Sequence, residues 1–327
     1  MITASFQHPR PAGYTLRVSL LEQCQYDCPY CLPGSVSRYT PNQERLSASE
    51  YGRLAPLLVR AGINRVRLTG GEPLLRTDVP GVVAAFRAGM PGMSLALTTN
   101  GQKLRPVMGA LHEAGLDDVT VHVDSMKPER YRDLMGEGDV DDVLDTVVKA
   151  RGVFKHVKMN MVVQRGKNDD ELHGFLAFSA RHQIEVRFIE LMNTGSAVDY
   201  TRSVFFTGKQ MVERIGEQTP VTRLPRRNPS DPAALYRTGE GVTFGIIASD
   251  TEPFCADCNR LRLTAKGLLR GCLYQSGGAP LGPALKAGAS DDALLSMMHV
   301  AQSQKRSFHP LMTQAERVPF SMADAGG

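Results

Sequence analysis

The feature that most constrains the fold is an alternation of short β-rich runs with longer helical patterns over the first two-thirds of the chain. Repeated βα units predict a parallel sheet with helices outside it, either a doubly wound sheet or a barrel. Two of the helices are predicted over residues 47–61, from a Ser47-x-x-Glu50 capping box to Gly62, and over residues 169–182. The six predicted strands cover residues 14–19, 65–69, 94–98, 118–124, 156–163 and 185–190.

Polar residues recur at every second position of these strands, with apolar residues between them. A strand buried on both faces would be a nearly continuous apolar run, so one face of each strand is predicted to line a common polar surface. Six such strands in succession favour a partial (βα)6 barrel of the TIM type with a polar lumen, because charges are almost never buried without partners. The residues on this face are Arg17, Ser19, Arg67, Thr69, Ala96, Thr98, Thr120, His122, Asp124, Lys158, Asn160, Glu185 and Arg187.

The alternation stops after Met192, and residues 195–232 are predicted to be irregular, with a basic, proline-containing linker or surface loop over residues 219–229. Beyond it, strands are predicted over residues 234–238 and 242–248, and a helix over residues 291–305. Strands over 260–264 and 268–273 would form a hairpin that turns at Lys266-Gly267. The chain is therefore predicted to have two domains, a barrel over residues 1–218 and a smaller α+β module over residues 219–327.

All six cysteines fall into two groups of three. The groups are Cys24, Cys28 and Cys31, and Cys255, Cys258 and Cys272. In the first group, a disulfide between such near neighbours would be strained and would leave the third thiol alone. Structural zinc sites take four ligands, whereas three thiols suit a [4Fe-4S] cluster that keeps one iron open. The second group predicts another such cluster, with a zinc ribbon completed by a histidine or a remote side chain as the alternative.

The sequence Gly70-Gly71-Glu72-Pro73 follows the second predicted strand directly. By itself a Gly-Gly turn is more often a tight chain reversal than a ligand site, although it lets the backbone approach a ligand closely. Together with the C-x3-C-x2-C loop, in which Tyr30 precedes the last cysteine, the turn resembles the radical S-adenosylmethionine (SAM) superfamily. Members of that superfamily use a GGEP motif to hold the methionine end of SAM.

Further stretches resemble one family within it, the GTP 3′,8-cyclases, which open molybdenum cofactor biosynthesis. The resemblance covers the chain from Tyr14 to Gly327. The stretches that carry it are residues 15–19, 67–76, 98–101, 158–163, 165–171, 187–192 and 255–264, the Cys272-Leu pair and the terminal Gly326-Gly327.

This resemblance implies two [4Fe-4S] clusters, the SAM-cleaving one on the first cysteine group and a substrate-side one on the second. The implied SAM contacts are Tyr30, Gly70, Gly71, Glu72, His122 and Met192. The implied GTP contacts are Arg17, Arg67, Thr98, Lys158, Arg187, Arg260, Leu261 and Arg262. Catalytic roles are implied for Arg17, Arg260, Arg262, Gly326 and Gly327, and the two glycines are predicted to enter the barrel mouth. The barrel residues in these sets lie on the polar face inferred from the alternation.

The sequence departs from the family pattern at three places. His122 stands where the family usually carries the first serine of a Ser-x-Asp-Ser pattern that contacts SAM. An imidazole still forms hydrogen bonds, but it is larger than a hydroxyl group. Residues 20–23 and 32–34, on either side of the first cysteine group, also differ from the usual residues, and none of these changes affects a cysteine.

The implied reaction converts GTP to 3′,8-cyclo-7,8-dihydro-GTP. Removal of hydrogen from a ribose carbon is beyond any acid–base side chain, so a cofactor radical must do it, and an external low-potential electron donor is needed. The further partner implied is a downstream enzyme that forms the cyclic pyranopterin, and the chain is expected to be a monomer or a homodimer.

The composition of the chain limits which other partners are expected. A net charge of +4 is too weakly basic to indicate nucleic acid and is compatible with an anionic small molecule. No basic-then-apolar signal pattern opens the sequence, and no apolar run is long enough to span a bilayer. We therefore expect no membrane contact and a cytoplasmic location, where thiols stay reduced.

Two other functions fit parts of this pattern. A radical SAM enzyme that matures peptides or proteins could also carry an auxiliary cluster, but it would predict more cysteines in the C-terminal part and gives no reason for a cationic lumen. A non-catalytic iron–sulfur or zinc scaffold would not need the GGEP turn.

Overall fold

The computed structural model describes residues 13–31, 44–192, 198–275 and 277–305. Within these ranges, six parallel strands run in chain order across the centre of the sheet, each paired with the next. They are β1 Tyr14–Ser19, β2 Ile63–Thr69, β3 Ser94–Thr99, β4 Asp118–His122, β5 His156–Val163 and β6 Glu185–Glu190. The six strands predicted from the alternation are confirmed, with ends that differ by at most two residues.

Strands from the C-terminal third continue the sheet at both of its edges. These strands are β7 Val221–Leu224, β8 Ala234–Thr238, β9 Thr243–Ile247, β10 Arg260–Leu263 and β11 Leu269–Arg270. The observed order is β11-β10-β1-β2-β3-β4-β5-β6-β9-β8-β7. Among the described residues the sheet does not close, since β11 and β7 form its two edges. The fold is thus an open, barrel-like α/β architecture, and the predicted domain boundary at 218–219 stays a prediction.

The apolar positions of the strands form the core. Leu16 and Val18 on β1, and Val66 and Leu68 on β2, are at most 1% exposed. Their neighbour Arg17 projects from the opposite face, because side chains alternate along a strand. One face of the sheet is therefore apolar and lies under the helices, and the other face is polar, as the alternation predicts.

Helices lie on the outside of the sheet, where all but the last two connect one strand to another. They are α1 Ala48–Arg60, α2 Val79–Gly89, α3 Met108–Glu113, α4 Pro128–Met135, α5 Val140–Ala150, α6 Leu172–His182, α7 Val198–Val204, α8 Gly208–Gly216, α9 Leu281–Lys286 and α10 Asp291–Ser303. The predicted capping box begins α1: Ser47 Oγ accepts from the Glu50 backbone N–H, and the Glu50 carboxylate accepts from the Ser47 N–H. Gly62 follows the helix with φ at +80°, a conformation that favours glycine.

The prediction that residues 195–232 are irregular was wrong for most of that range. Residues 193–197 lie outside the described residues, but α7, α8 and β7 occupy much of the rest. A capping box between Thr207 and Gln210 begins α8 and was the missed signal. The predicted linker contains β7, which pairs antiparallel with β8 as an edge strand. An edge strand needs no apolar face, so β7 gave no alternation to recognise.

In the part of the chain that the structure describes, none of the helices is long and apolar enough to cross a lipid bilayer.

Candidate active site

The first cysteine group lies on the loop that follows β1. Cys28 is buried and Cys24 and Cys31 are partly buried, and none of them is in a disulfide. Burial raises the pKa of the Cys24 thiol to about 11. Burial also raises the pKa of Cys28 well above its ordinary value, and Asp124 and the other two thiols add to the shift. Because burial opposes ionisation of Cys24 and Cys28, these thiols need a positively charged partner to become thiolate ligands, and a bound iron cluster supplies one.

The donor set of this loop therefore fits a cluster. Among the described residues, no three ligating side chains converge on a single-ion position. The three thiolates of a [4Fe-4S] cluster bind three different irons, so they need not converge as the ligands of one ion do.

The Gly70-Gly71 pair packs against the start of the cysteine loop. A Cβ atom at Gly70 would lie 2.5 Å from the Leu21 carbonyl oxygen, and one at Gly71 would lie 2.1 Å from that of Gln23. The Gly71 N–H donates to Leu21 O at 2.8 Å, and the next N–H donates to Gln23 O at 2.7 Å. The two glycines are thus required for the close approach of two backbones, which fixes the position of the cysteine loop.

Glu72, the acidic residue of the same turn, is 1% exposed. Its carboxylate accepts hydrogen bonds from the backbone N–H groups of Leu74 and Asn100 and from the Thr99 hydroxyl. Burial nevertheless raises the pKa of Glu72 to about 7. Glu72 therefore ties the turn after β2 to the end of β3, and the predicted contacts of Gly70, Gly71 and Glu72 with SAM stay predictions.

Tyr30, His122 and Asp124 form one hydrogen-bonded group beside the cysteine loop. The Tyr30 hydroxyl lies 2.7 Å from His122 Nε2 and donates to Asp124 Oδ2 at 2.5 Å. His122 Nε2 is also 3.0 Å from Asp124 Oδ1. Burial lowers the pKa of His122, but Asp124 outweighs that effect and the net pKa is raised. Met192, the remaining predicted SAM contact, lies two residues after the end of β6 and is partly buried.

Three arginines lie side by side on the polar face, one on each of three adjacent strands. Arg17 on β1 is in register with Arg262 on β10 and with Arg67 on β2. We call these three residues the arginine row. Arg67 Nη1 donates to the hydroxyls of Thr98 and Thr120, each at 3.1 Å. Thr98 was predicted as a substrate contact, whereas Thr120 was predicted only to line the polar face.

The arginine row is a region of concentrated positive charge. Burial, followed by Arg262 and Arg67, lowers the pKa of Arg17 well below its ordinary value. Burial and nearby cations lower the pKa of Arg67 to about 9 and that of Arg262 to about 10. Because ionised arginines destabilise one another here, a bound polyanion would relieve the repulsion.

On the far side of the lumen, the predicted cations are paired with carboxylates. Lys158 Nζ lies 3.1 Å from Glu185, and Arg187 lies 2.8 Å from Glu185 and 3.3 Å from Asp231. Burial would raise the pKa of Glu185, but Arg187 and Lys158 lower it to about 2. Sequence reasoning missed Asp231, since it lies in the stretch of residues 195–232 that was predicted to be irregular.

The second cysteine group lies beside the arginine row. Cys258 comes two residues before Arg260, and the strand that carries Arg260 and Arg262, β10, pairs with β1. The Arg260 guanidinium stacks 4.4 Å from the centre of the Phe254 ring. Burial would raise the pKa of Cys258, but Arg260 and then Lys305 outweigh it and the pKa is lowered.

Two of the predicted site elements need comment. The Leu261 side chain is fully buried in the core, so only its backbone can meet a substrate, and its predicted role stays a prediction. Gly326 and Gly327 lie outside the described residues.

The fold and the three-cysteine loop define the class of this chain, which is a radical SAM protein. The Radical SAM superfamily model matches residues 18–179, and the Molybdenum Cofactor Synthesis C model matches residues 184–311. The crystal structure of Streptococcus suis SuiB bound to S-adenosylmethionine shares the fold, with a TM-score of 0.60 at 13% identity over 88% of this chain and 68% of that one. Radical SAM membership implies a [4Fe-4S] cluster and SAM as cofactors.

Close relatives identify the family. "GTP 3′,8-cyclase 3" of Mycobacterium bovis is 38% identical over 86% of this chain and 76% of that protein. "GTP 3′,8-cyclase 1" of Mycobacterium tuberculosis is 36% identical over 95% of this chain and 92% of that protein. "Molybdenum cofactor biosynthesis protein 1" of Mus musculus is 36% identical over 90% of this chain and 46% of that protein. The chain belongs to the GTP 3′,8-cyclase family, and the resemblance inferred from its motifs is confirmed.

Proposed function

We propose that this chain is a radical SAM lyase that converts GTP to 3′,8-cyclo-7,8-dihydro-GTP, the first step of molybdenum cofactor biosynthesis. The arginine row is the observation that carries the proposal. Three guanidinium groups in register on one polar face suit a triphosphate, whose oxygens accept forked, charge-assisted hydrogen bonds. The names of the Mycobacterium relatives support GTP as the substrate.

The reaction needs a radical, because no acid–base side chain removes a hydrogen from a ribose carbon. When bound, the cluster and SAM supply that radical chemistry. The residues of this chain bind and orient the nucleotide. We assign the triphosphate to the arginine row together with Arg260, with Thr98 holding the Arg67 guanidinium in place. Lys158 and Arg187, already oriented by carboxylates, would complete the wall of the lumen.

We further propose that the second cysteine group holds a second [4Fe-4S] cluster that meets the substrate. Its neighbours support this role, since Arg260 and Arg262 lie between this group and Arg17. A nucleotide bound by its phosphates to the arginine row would thus lie next to the second cluster. The open iron of such a cluster could bind a substrate atom directly.

The proposed reaction also determines which partners this chain needs. Reductive cleavage of SAM requires a low-potential electron donor, and the cyclised product is passed to a downstream enzyme that forms the cyclic pyranopterin. Both clusters need reduced thiols, which supports a cytoplasmic location. A monomer and a homodimer are both compatible with these roles.

Peptide or protein maturation is the second candidate, because the chain shares its fold with SuiB, which has also been crystallised "bound to precursor peptide SuiA". That likeness, at 14% identity, concerns the fold alone. The arginine row has no evident use in binding a peptide backbone, and the C-terminal part carries only three cysteines. These observations favour the nucleotide.

The test is anaerobic reconstitution of the full chain with iron and sulfide, followed by incubation with SAM, a low-potential reductant and GTP. We expect about eight irons per chain if each group holds four, and formation of 5′-deoxyadenosine together with the cyclised nucleotide. ATP in place of GTP is the matched control and should give little cyclised product. Formation of 5′-deoxyadenosine with no cyclised nucleotide would contradict the proposal.

A further inference from the structure

Lys305 extends from the end of α10 onto the second cysteine group. Its ammonium nitrogen lies 3.3 Å from Cys258 Sγ, 2.8 Å from the Arg260 carbonyl oxygen and 3.3 Å from the Gly271 carbonyl oxygen. A lysine ammonium has three donors, and here each has an acceptor. Since Gly271 directly precedes Cys272, one side chain connects the two segments that carry the cysteines of this group.

The approach of α10 to these segments depends on Gly271. A Cβ atom there would lie 2.5 Å from the Ala301 carbonyl oxygen and 3.1 Å from the Lys305 backbone nitrogen, so any larger residue would displace the helix. Gln275 strengthens the same contact, because its side chain accepts from the Gly271 N–H at 3.0 Å and donates to the Gln304 side chain at 2.8 Å. Lys305 is therefore held by a helix end that is fixed to the cysteine segment at several points.

The two cysteine groups have opposite electrostatic surroundings. Around the first group, the buried carboxylate of Asp124 accepts from the hydroxyl of Tyr30, the residue before Cys31, at 2.5 Å. Around the second group, the Lys305 ammonium lies 3.3 Å from Cys258 Sγ, and Arg260 follows Cys258 by two residues with its guanidinium over the Phe254 ring. Reduction adds negative charge to an iron–sulfur cluster, so nearby positive charge and hydrogen bonds to sulfur raise its reduction potential.

We propose that Lys305 is a positioning residue for the second cluster, which clamps its two ligand segments together and raises its reduction potential. This inference rests on the second cluster proposed above. It means that the second cluster is more easily reduced than it would be without the Lys305 ammonium.

The test uses the full chain with Cys24, Cys28 and Cys31 all changed to alanine, so that only the second group can bind iron. Lys305→Met removes the charge and the three donors at similar length, and Lys305→Arg restores both. Lys149→Met, on the exposed face of α5, is the matched control. Iron is counted after anaerobic reconstitution, and the midpoint potential is measured by redox titration followed by electron paramagnetic resonance.

We expect the Lys305→Met change to shift the midpoint potential to a lower value, and the Lys305→Arg and Lys149→Met variants to stay close to the parent. Loss of iron from Lys305→Met with retention in Lys305→Arg would support the clamp. An iron-loaded parent whose potential is the same in all variants would overturn this inference alone. A parent that binds no iron would overturn the second cluster itself, and this inference with it.

Discussion

The Tyr30 hydroxyl lies 2.7 Å from His122 Nε2, so the residue that precedes Cys31 is fixed by a side chain at the end of β4. The Ser-x-Asp-Ser pattern to which the family resemblance compares this segment has serine at the position of His122, and a serine side chain is shorter than an imidazole. Asp124 contacts both residues and is itself held by the Val162 N–H at 2.8 Å. The larger residue thus adds a connection between the cysteine loop and the sheet.

Replacement of His122 tests the importance of that connection. His122→Ser should weaken SAM binding by about threefold to tenfold, because a neutral hydrogen bond contributes about 0.5 to 1.5 kcal/mol and Asp124 still holds Tyr30. The measurement is the dissociation constant of SAM for anaerobically reconstituted protein, by titration calorimetry. His112→Ser, on α3, is a control outside the site. Equal SAM affinity in His122→Ser and wild type would show that the connection does not order the cofactor site.

Arg262 offers the most direct test of the arginine row. Arg262→Ala should weaken GTP binding by roughly tenfold to a hundredfold, since one charge-assisted hydrogen-bonding group contributes about 1.5 to 3 kcal/mol. The loss should shrink at high ionic strength, where wild-type binding is screened as well. Arg60→Ala, at an exposed position of α1, is the matched control and should bind GTP like wild type. Unchanged affinity of Arg262→Ala for GTP would show that the arginine row is not part of the substrate site.

Cys24→Ala and Cys272→Ala should fail in different ways. Cys24→Ala should abolish SAM cleavage, because the first cysteine group would no longer hold the cluster that cleaves SAM. Cys272→Ala should still form 5′-deoxyadenosine from SAM but should lose the cyclised product, because only the substrate-side group is damaged. Both products can be measured in one chromatographic assay. SAM cleavage at the wild-type rate in both variants would contradict the assignment of two clusters with two roles.

The central sheet and its polar face could be predicted from sequence because they depend on local alternation. Arg17, Arg67 and Lys158 were placed on that face by the period of two alone. The pairing of β10 with β1 could not be predicted in this way, since it joins Arg262 to Arg17 across most of the chain. No local sequence pattern indicates such a contact, because the parallel pairing of strands that are far apart in the sequence is determined by tertiary packing.

Partners that approach from elsewhere in the chain were missed for the same reason. Lys305 lies on a polar helix end, where a lysine is usually solvated, and only the packing of α10 on Gly271 brings it to Cys258. The link from Glu72 to Thr99 and Asn100 joins two turns that are adjacent only in the folded sheet. In contrast, the start of α8 could have been predicted, because the capping box of Thr207 and Gln210 can be recognised from the sequence alone.

The two terminal glycines provide a further prediction, although they lie outside the described residues. Deletion of Gly326 and Gly327 should leave iron content and thermal stability unchanged while it strongly reduces cyclisation. Residues without side chains can thread a narrow entrance. A synthetic peptide with the sequence of the last residues should restore part of the activity. Full activity of the truncated protein would show that these two glycines have no role in cyclisation.

Glu72 should make stability depend on pH in a direction opposite to that of most carboxylates. Its pKa is raised from an ordinary value of 4.5 to about 7 by burial, so the folded state favours the protonated form. The corresponding contribution to stability is present below pH 4.5 and is lost as the pH rises through about 7. At 1.36 kcal/mol per unit of pKa, the loss amounts to roughly 3 kcal/mol.

Glu72→Gln, which keeps the shape of the side chain and cannot ionise, isolates this effect. The free energy of unfolding of the wild type, measured by urea denaturation of the iron-free chain, should fall relative to that of Glu72→Gln as the pH is raised from 5 to 8. Glu113→Gln, on α3, is the control at an exposed position and should give no such difference. A constant difference between wild type and Glu72→Gln over this range would mean that the hydrogen bonds from Thr99 and Asn100 keep Glu72 ionised in the folded protein.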